Sequence, residues 1–292
     1  MSDTKRGIWL MVLTMLIFAM QDGISRYLAG EYNVIMVVMV RYWFFAAFVL
    51  TVSAKRAGSI ANAARTKQPI LQSFRGLLLA AEVCVMVLAF TLLGLIESLA
   101  IFASYPLMVA ALSGPILGEQ VGPRRWIAIT IGAIGVLIML KPGLGVFSPY
   151  ALVAILSSLM FALYSLLTRY AARLDKAETS FFWTGTMGCI GMTIVGIWYW
   201  ENMTAPDWGW MLILCITGAT GHYLLIRVYE LAEASAVQPF AYLQLVFASV
   251  IGVAVFHETI EWNIATGAAL VIAAGLFTLW RAQVSAADPP SK

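Results

Sequence analysis

The chain has 292 residues, of which 61% are hydrophobic and only 11% charged, with a formal net charge of +3. A water-soluble globular domain carries about 25% charged residues to coat its surface, so this composition excludes one and points to a polytopic helical membrane protein. No basic tract is dense enough for a nucleic-acid footprint, and Cys84, Cys189 and Cys215 lie within apolar runs at no metal-ligand or redox spacing.

In chain order, Lys5 and Arg6 precede an apolar run over 7–29. This run is too long for a signal-peptide core and lacks a small-residue cleavage site, so it predicts a first membrane span. Further runs follow near 34–53, 76–96, 98–118 and 126–140, then near 149–170, 179–200, 209–231, 236–256 and 263–280. A helix needs about 20 residues to cross ~30 Å of hydrocarbon, and only the run at 126–140 is clearly short. The expectation is an all-α membrane protein of ten transmembrane helices. Residues 54–75 read as a solvated basic loop, 141–149 as a Gly/Pro-rich linker, and the stretch from Gln283 as a disordered tail. Trp198, Tyr199, Trp200, Trp208 and Trp210 read as an interfacial aromatic belt.

The stretch IFAMQDGISRYLA, Ile17 to Ala29, returns 143 residues later as MFALYSLLTRYAA, Met160 to Ala172. Each copy closes the first apolar run of its half. The chain therefore divides into a five-helix repeat over 1–142, a second over 143–282 and a tail over 283–292. An odd number of spans per repeat inverts the second copy, a plan that places a transport site near the midplane between the halves. With the N-terminus inside, all of the 18 lysines and arginines except Arg26, Arg41 and Lys141 fall on inner segments. That bias predicts both termini in the cytoplasm.

These repeats, together with YPLMVAALSGPILGE (Tyr105 to Glu119) and its echo QLVFASVIGVAVFHE (Gln244 to Glu258), carry a family resemblance. The chain resembles the drug/metabolite transporter superfamily, specifically its ten-helix EamA-type exporters. The segment from Gly221 to Leu245 is similar to the second repeat of that group, although Leu245 stands where the first half has Pro106. The overall texture is most like the YddG-type exporters of aromatic and other neutral amino acids. The resemblance implies export across a bacterial inner membrane by alternating access, with no cofactor and no catalysis.

Polar groups within apolar runs are costly and are candidates for function. Counted at ~1.5 Å per residue, Gln21, Asp22 and Arg41 come level, and an Asp22–Arg41 pair is expected to offset the desolvation of both groups. A second layer holds Glu82, His222 and Gln244, with Tyr164 and Ser165 near it. These residues and Tyr242 form the expected substrate site, walled by apolar side chains drawn from Phe18, Met20, Met86, Phe102, Phe161 and Phe240. Arg26, Arg169, Glu119 and Glu258, at the ends of their spans, are expected at the gates or as surface anchors. Trp43 reads as core packing or cavity wall. Small residues around Gly132–Gly135 and Gly267–Gly275 allow close helix approach. Two internal halves suffice to enclose a pathway, so a monomer in the lipid bilayer is expected, with a small-molecule substrate as its partner.

Competing readings are exporters of organic cations, drugs or nucleosides. A membrane-embedded transferase would need clustered acids or a basic pyrophosphate nest, and the acids here are scattered.

Overall fold

The computed structural model describes residues 3–56, 59–118, 122–140, 149–231 and 238–287, and all regular structure among them is helical. The first half comprises α1 (Asp3–Glu31), α2 (Val34–Arg56), the short α3 (Ile60–Ala64), α4 (Pro69–Leu93), α5 (Leu95–Phe102), α6 (Tyr105–Leu117) and α7 (Pro123–Leu140). The second comprises α8 (Ala151–Ala171), α9 (Ala177–Gly196), α10 (Ala205–Leu231), α11 (Leu243–Phe256) and α12 (Trp262–Ala287), with 3-10 turns at Ile197–Tyr199 and Gln238–Tyr242.

Among the described residues, each apolar run falls mostly on helix. Among the described residues, six segments are long and apolar enough to cross a membrane: Lys5–Glu31, Val34–Val52, Pro69–Leu93, Leu95–Leu117, Ala151–Ala171 and Glu178–Tyr199. The apolar helices Trp126–Leu140, Phe240–Phe256 and Trp262–Phe277 are shorter.

Local chemistry sets the boundaries. Asn33 accepts the Met36 amide at 2.8 Å and starts α2. Pro69, which lacks an N–H, opens α4. Gly94 ends α4 at φ +90°, a conformation open to glycine, and α5 begins at the next residue. Between α5 and α6 the chain breaks at Ala103–Ser104, where the Ser104 hydroxyl donates to the Ile101 carbonyl at 2.7 Å. Pro106 follows in the first turn of α6. The second half is broken at the corresponding place, where the Gln238–Tyr242 turn leads into α11.

Two boundary expectations need correction. The segment 54–75 is not simply a solvated loop: Ala63 of α3 packs beside Phe182, and Arg75 is 1% exposed within α4. Its guanidinium donates to Gln72 at 2.5 Å and Thr168 at 3.0 Å and lies over the Tyr164 ring, and these contacts allow its burial. The C-terminal helix also runs through Gln283 to Ala287 rather than giving way to a tail there.

Packing is reciprocal between the halves. The principal contacts join α1 to α10, α4 to α8, α2 to α9 and α7 to α12. Replacing each helix by its counterpart in the other half turns the first pair into the second and leaves the other two unchanged. The small residues serve the α7–α12 contact: a Cβ on Gly135 would lie 2.7 Å from the Gly267 carbonyl oxygen.

Candidate substrate site

Among the described residues, helices of both halves line two adjoining cavities. The first, of about 160 Å³, is lined from α1, α2, α4, α5, α8, α10 and α11. The second, of about 480 Å³, lies between α5, α6, α8, α10, α11 and α12. Leu99, Phe102, Phe161 and Gln244 line both and form the neck between them.

The first cavity gathers Gln21, Asp22, Arg41, Glu82, His222 and Gln244, six of the nine expected substrate residues. The expected Asp22–Arg41 ion pair is absent. Asp22 instead accepts the Gln244 amide at 2.7 Å, because α11 packs against α1 there. Glu82, 4% exposed, accepts the Ser157 hydroxyl at 2.7 Å. Each of these two carboxylates is thus held by a neutral donor from the second half. Among the described residues Arg41 forms no hydrogen bond or ion pair, and its guanidinium borders the cavity. Gly218 makes room for Gln21, since a Cβ there would lie 3.1 Å from Gln21 Oε1, whereas Arg41 Nε, at 3.5 Å, would be in ordinary contact.

Further polar atoms wait on a partner. Gln21 Oε1 and Ser25 Oγ are buried in the first cavity's lining without a hydrogen bond, where an unmet polar group costs free energy. Aromatic rings complete the walls. His222 packs against Phe18 and Phe45 with centroids 5.3 and 5.6 Å away, and Phe102 and Phe161 meet at 5.3 Å at the neck. Of the expected apolar wall, Phe18, Met86, Phe102 and Phe161 line the cavity. Met20 points outward at 44% exposure, and Phe240 packs with Met11 and Val228 instead.

The second cavity takes Ser165, Tyr242, Gln244 and Arg169. The Ser165 hydroxyl is bound to the Phe161 carbonyl at 2.8 Å, and the Tyr242 hydroxyl is buried without a partner. Tyr164 lines neither cavity. It is turned toward Arg75, whose guanidinium lies 5.1 Å from its ring centroid.

At the far end of α1, Arg26 forms an ion pair with Glu258 and stacks on Phe256 at 4.0 Å. Glu258 also accepts the Leu95 and Ile96 amides at 2.7 and 2.9 Å. One carboxylate therefore ties α1, the start of α5 and the end of α11. Glu119 lies outside the described residues. Trp43 is neither core nor cavity wall: it is 38% exposed, stacks on Trp200 and donates to Thr193 at 2.7 Å.

Sequence reasoning missed Ser25, Phe45, Ser157 and Gly218. Ser25 stands one helical turn beyond Asp22 and was legible by that spacing. Ser157 carried no such signal, because its partner is 75 residues away. Among the described residues no group of three or more His, Cys, Asp or Glu side chains is placed to hold a metal ion.

The sequence matches the model of the EamA-like transporter family over 5–141 and again over 148–280. It is 25% identical over 274 residues to the S-adenosylmethionine uptake transporter of Rickettsia prowazekii, covering 94% of this chain and 92% of the relative. It is 30% identical over 263 residues to the riboflavin transporter of Brucella anthropi, covering 86% and 90%. These names replace the expected likeness to amino-acid exporters. A solved crystal structure matches with a TM-score of 0.63 over 97% of this chain and 98% of its own, and at 16% identity it shows the fold alone.

Proposed function

Because the chain belongs to the EamA-like transporter family, we propose that it carries a small metabolite with an amino-acid head and an aromatic ring, S-adenosylmethionine being the first candidate. Arg41 carries this reading: a cation bordering the cavity without a protein acid in ion-pair contact calls for a carboxylate from the substrate. Asp22 and Glu82, which take hydrogen bonds from the neutral donors Gln244 and Ser157, suit positive groups. Phe102 and Phe161 offer ring faces at the neck. The amino-acid, nucleoside and cation readings then describe three parts of one molecule. Aromatic amino acids fit Arg41 and one carboxylate. Riboflavin, which has no charge, would leave Arg41 without an anion.

Two inverted five-helix repeats, ten spans in all, would rock around this site in a bacterial inner membrane, with both termini in the cytoplasm. The paired family matches and the reciprocal packing support that architecture. Arg26 and Glu258 would close the side opposite the termini. An alternating-access carrier works in either direction, so the gradient sets uptake or export.

The test is counterflow in proteoliposomes preloaded with S-adenosylmethionine, riboflavin, phenylalanine, tryptophan or an organic cation lacking a carboxylate. Saturable exchange of labelled S-adenosylmethionine, inhibited more than twofold by none of the carboxylate-free compounds, is expected. Exchange of riboflavin or of the simple cation alone would overturn the substrate class.

A further inference from the structure

We propose that Glu82, with Ser157, is a second cation subsite that makes the carrier prefer a substrate of net charge +1 over its zwitterionic counterpart. The inference rests on the proposed function and names the residue that sets substrate charge.

Three of the cavity's lining side chains carry the charge argument: Asp22, Arg41 and Glu82. A zwitterionic amino acid gives its carboxylate to Arg41 and its ammonium to one acid, leaving the other acid without a cation. An uncompensated buried charge is strongly unfavourable. A substrate with one carboxylate and two positive centres balances all three.

The two acids are separate subsites. Asp22 is on α1 and takes its hydrogen bond from Gln244 of α11, whereas Glu82 is on α4 and takes its own from Ser157 of α8. Among the described residues neither carboxylate forms an ion pair. Ser157, fully buried, also fixes where Glu82 sits. The hydroxyl fixes the position of the carboxyl and brings no positive charge to it.

The matched probes are S-adenosylmethionine and S-adenosylhomocysteine. They share the amino-acid head and the adenine, and differ by the methyl that makes the sulfur a cationic sulfonium. Their inhibition constants are measured in counterflow of labelled S-adenosylmethionine by the purified full-length protein. The wild type should bind the sulfonium compound at least about tenfold more tightly, the scale set by one uncompensated charge. Equal constants overturn the proposal without any variant. Glu82→Gln should bring the ratio to within about threefold of unity, and Glu82→Asp, which keeps the charge, should restore the preference. A ratio unmoved by Glu82→Gln, or lost equally in Glu82→Asp, overturns the assignment. Failure of the underlying reading looks different: the wild type would then exchange neither compound.

Discussion

Asp175, in the turn between α8 and α9, shows what a single side chain contributes outside the spans. It accepts the Thr66 hydroxyl at 2.5 Å, the Gln72 amide at 2.9 Å and the Lys67 N–H at 3.0 Å. Partial burial pulls its carboxyl upward, but the bonds from Gln72, Thr66 and Lys67 together outweigh that and hold its pKa below the ordinary 3.8. A folded-state value below the unfolded one contributes stability at pH values above the unfolded carboxylate range, and that stability is lost as pH falls through the folded value. Asp175→Asn should therefore destabilise the protein at pH 7 by about 1 kcal/mol, a figure discounted for solvent screening. Thermal unfolding in detergent should show the gap between variant and wild type closing below about pH 4. A gap that persists at pH 3 would place the effect elsewhere. Residues such as Asp22 and Glu82 were legible in the sequence because a polar group in an apolar run stands out. Arg75 was not, because a basic residue at the edge of a loop looks solvated until its partners on α8 and α9 are seen.

Among the elements, the junction of α4 and α5 has the tightest requirement. Gly94 adopts φ +90° and ψ 173°, and a Cβ there would lie 2.5 Å from Glu258 Oε1. Gly94→Ala thus adds backbone strain of about 1–3 kcal/mol and displaces the carboxylate that joins α1, α5 and α11. Gly118 serves as a control, since it has φ +74° but a Cβ there meets nothing. Counterflow should fall at least about tenfold in Gly94→Ala and by less than half that factor in Gly118→Ala. Equal losses would show that strain alone matters and that Glu258 is not a gate residue. The breaks were not read from the sequence, which suggested one unbroken span over 98–118 and another over 236–256, although Pro106 and Pro239 stand beside the two breaks.

For the whole molecule, the cross-half hydrogen bonds and ion pair define what must part if the halves rock. In a background lacking Cys84, Cys189 and Cys215, the pair Arg26→Cys and Glu258→Cys should be joined by a flexible bis-maleimide. The cross-linked protein is expected to lose exchange, and each single-cysteine variant treated with the same reagent to retain more. Full exchange by the cross-linked form would show that α1 and α11 need not separate, and would overturn the rocking mechanism. The long apolar runs by themselves determined the membrane class, the positions of the helices and the short set of costly polar side chains, since one-dimensional hydrophobicity already records what water must not reach. Only the tertiary structure decided the partners: Asp22 meets Gln244 rather than Arg41, Glu82 meets Ser157, and Tyr164 turns to Arg75. Depth along a helix can be counted from sequence, but the face each side chain presents depends on how all the helices pack together.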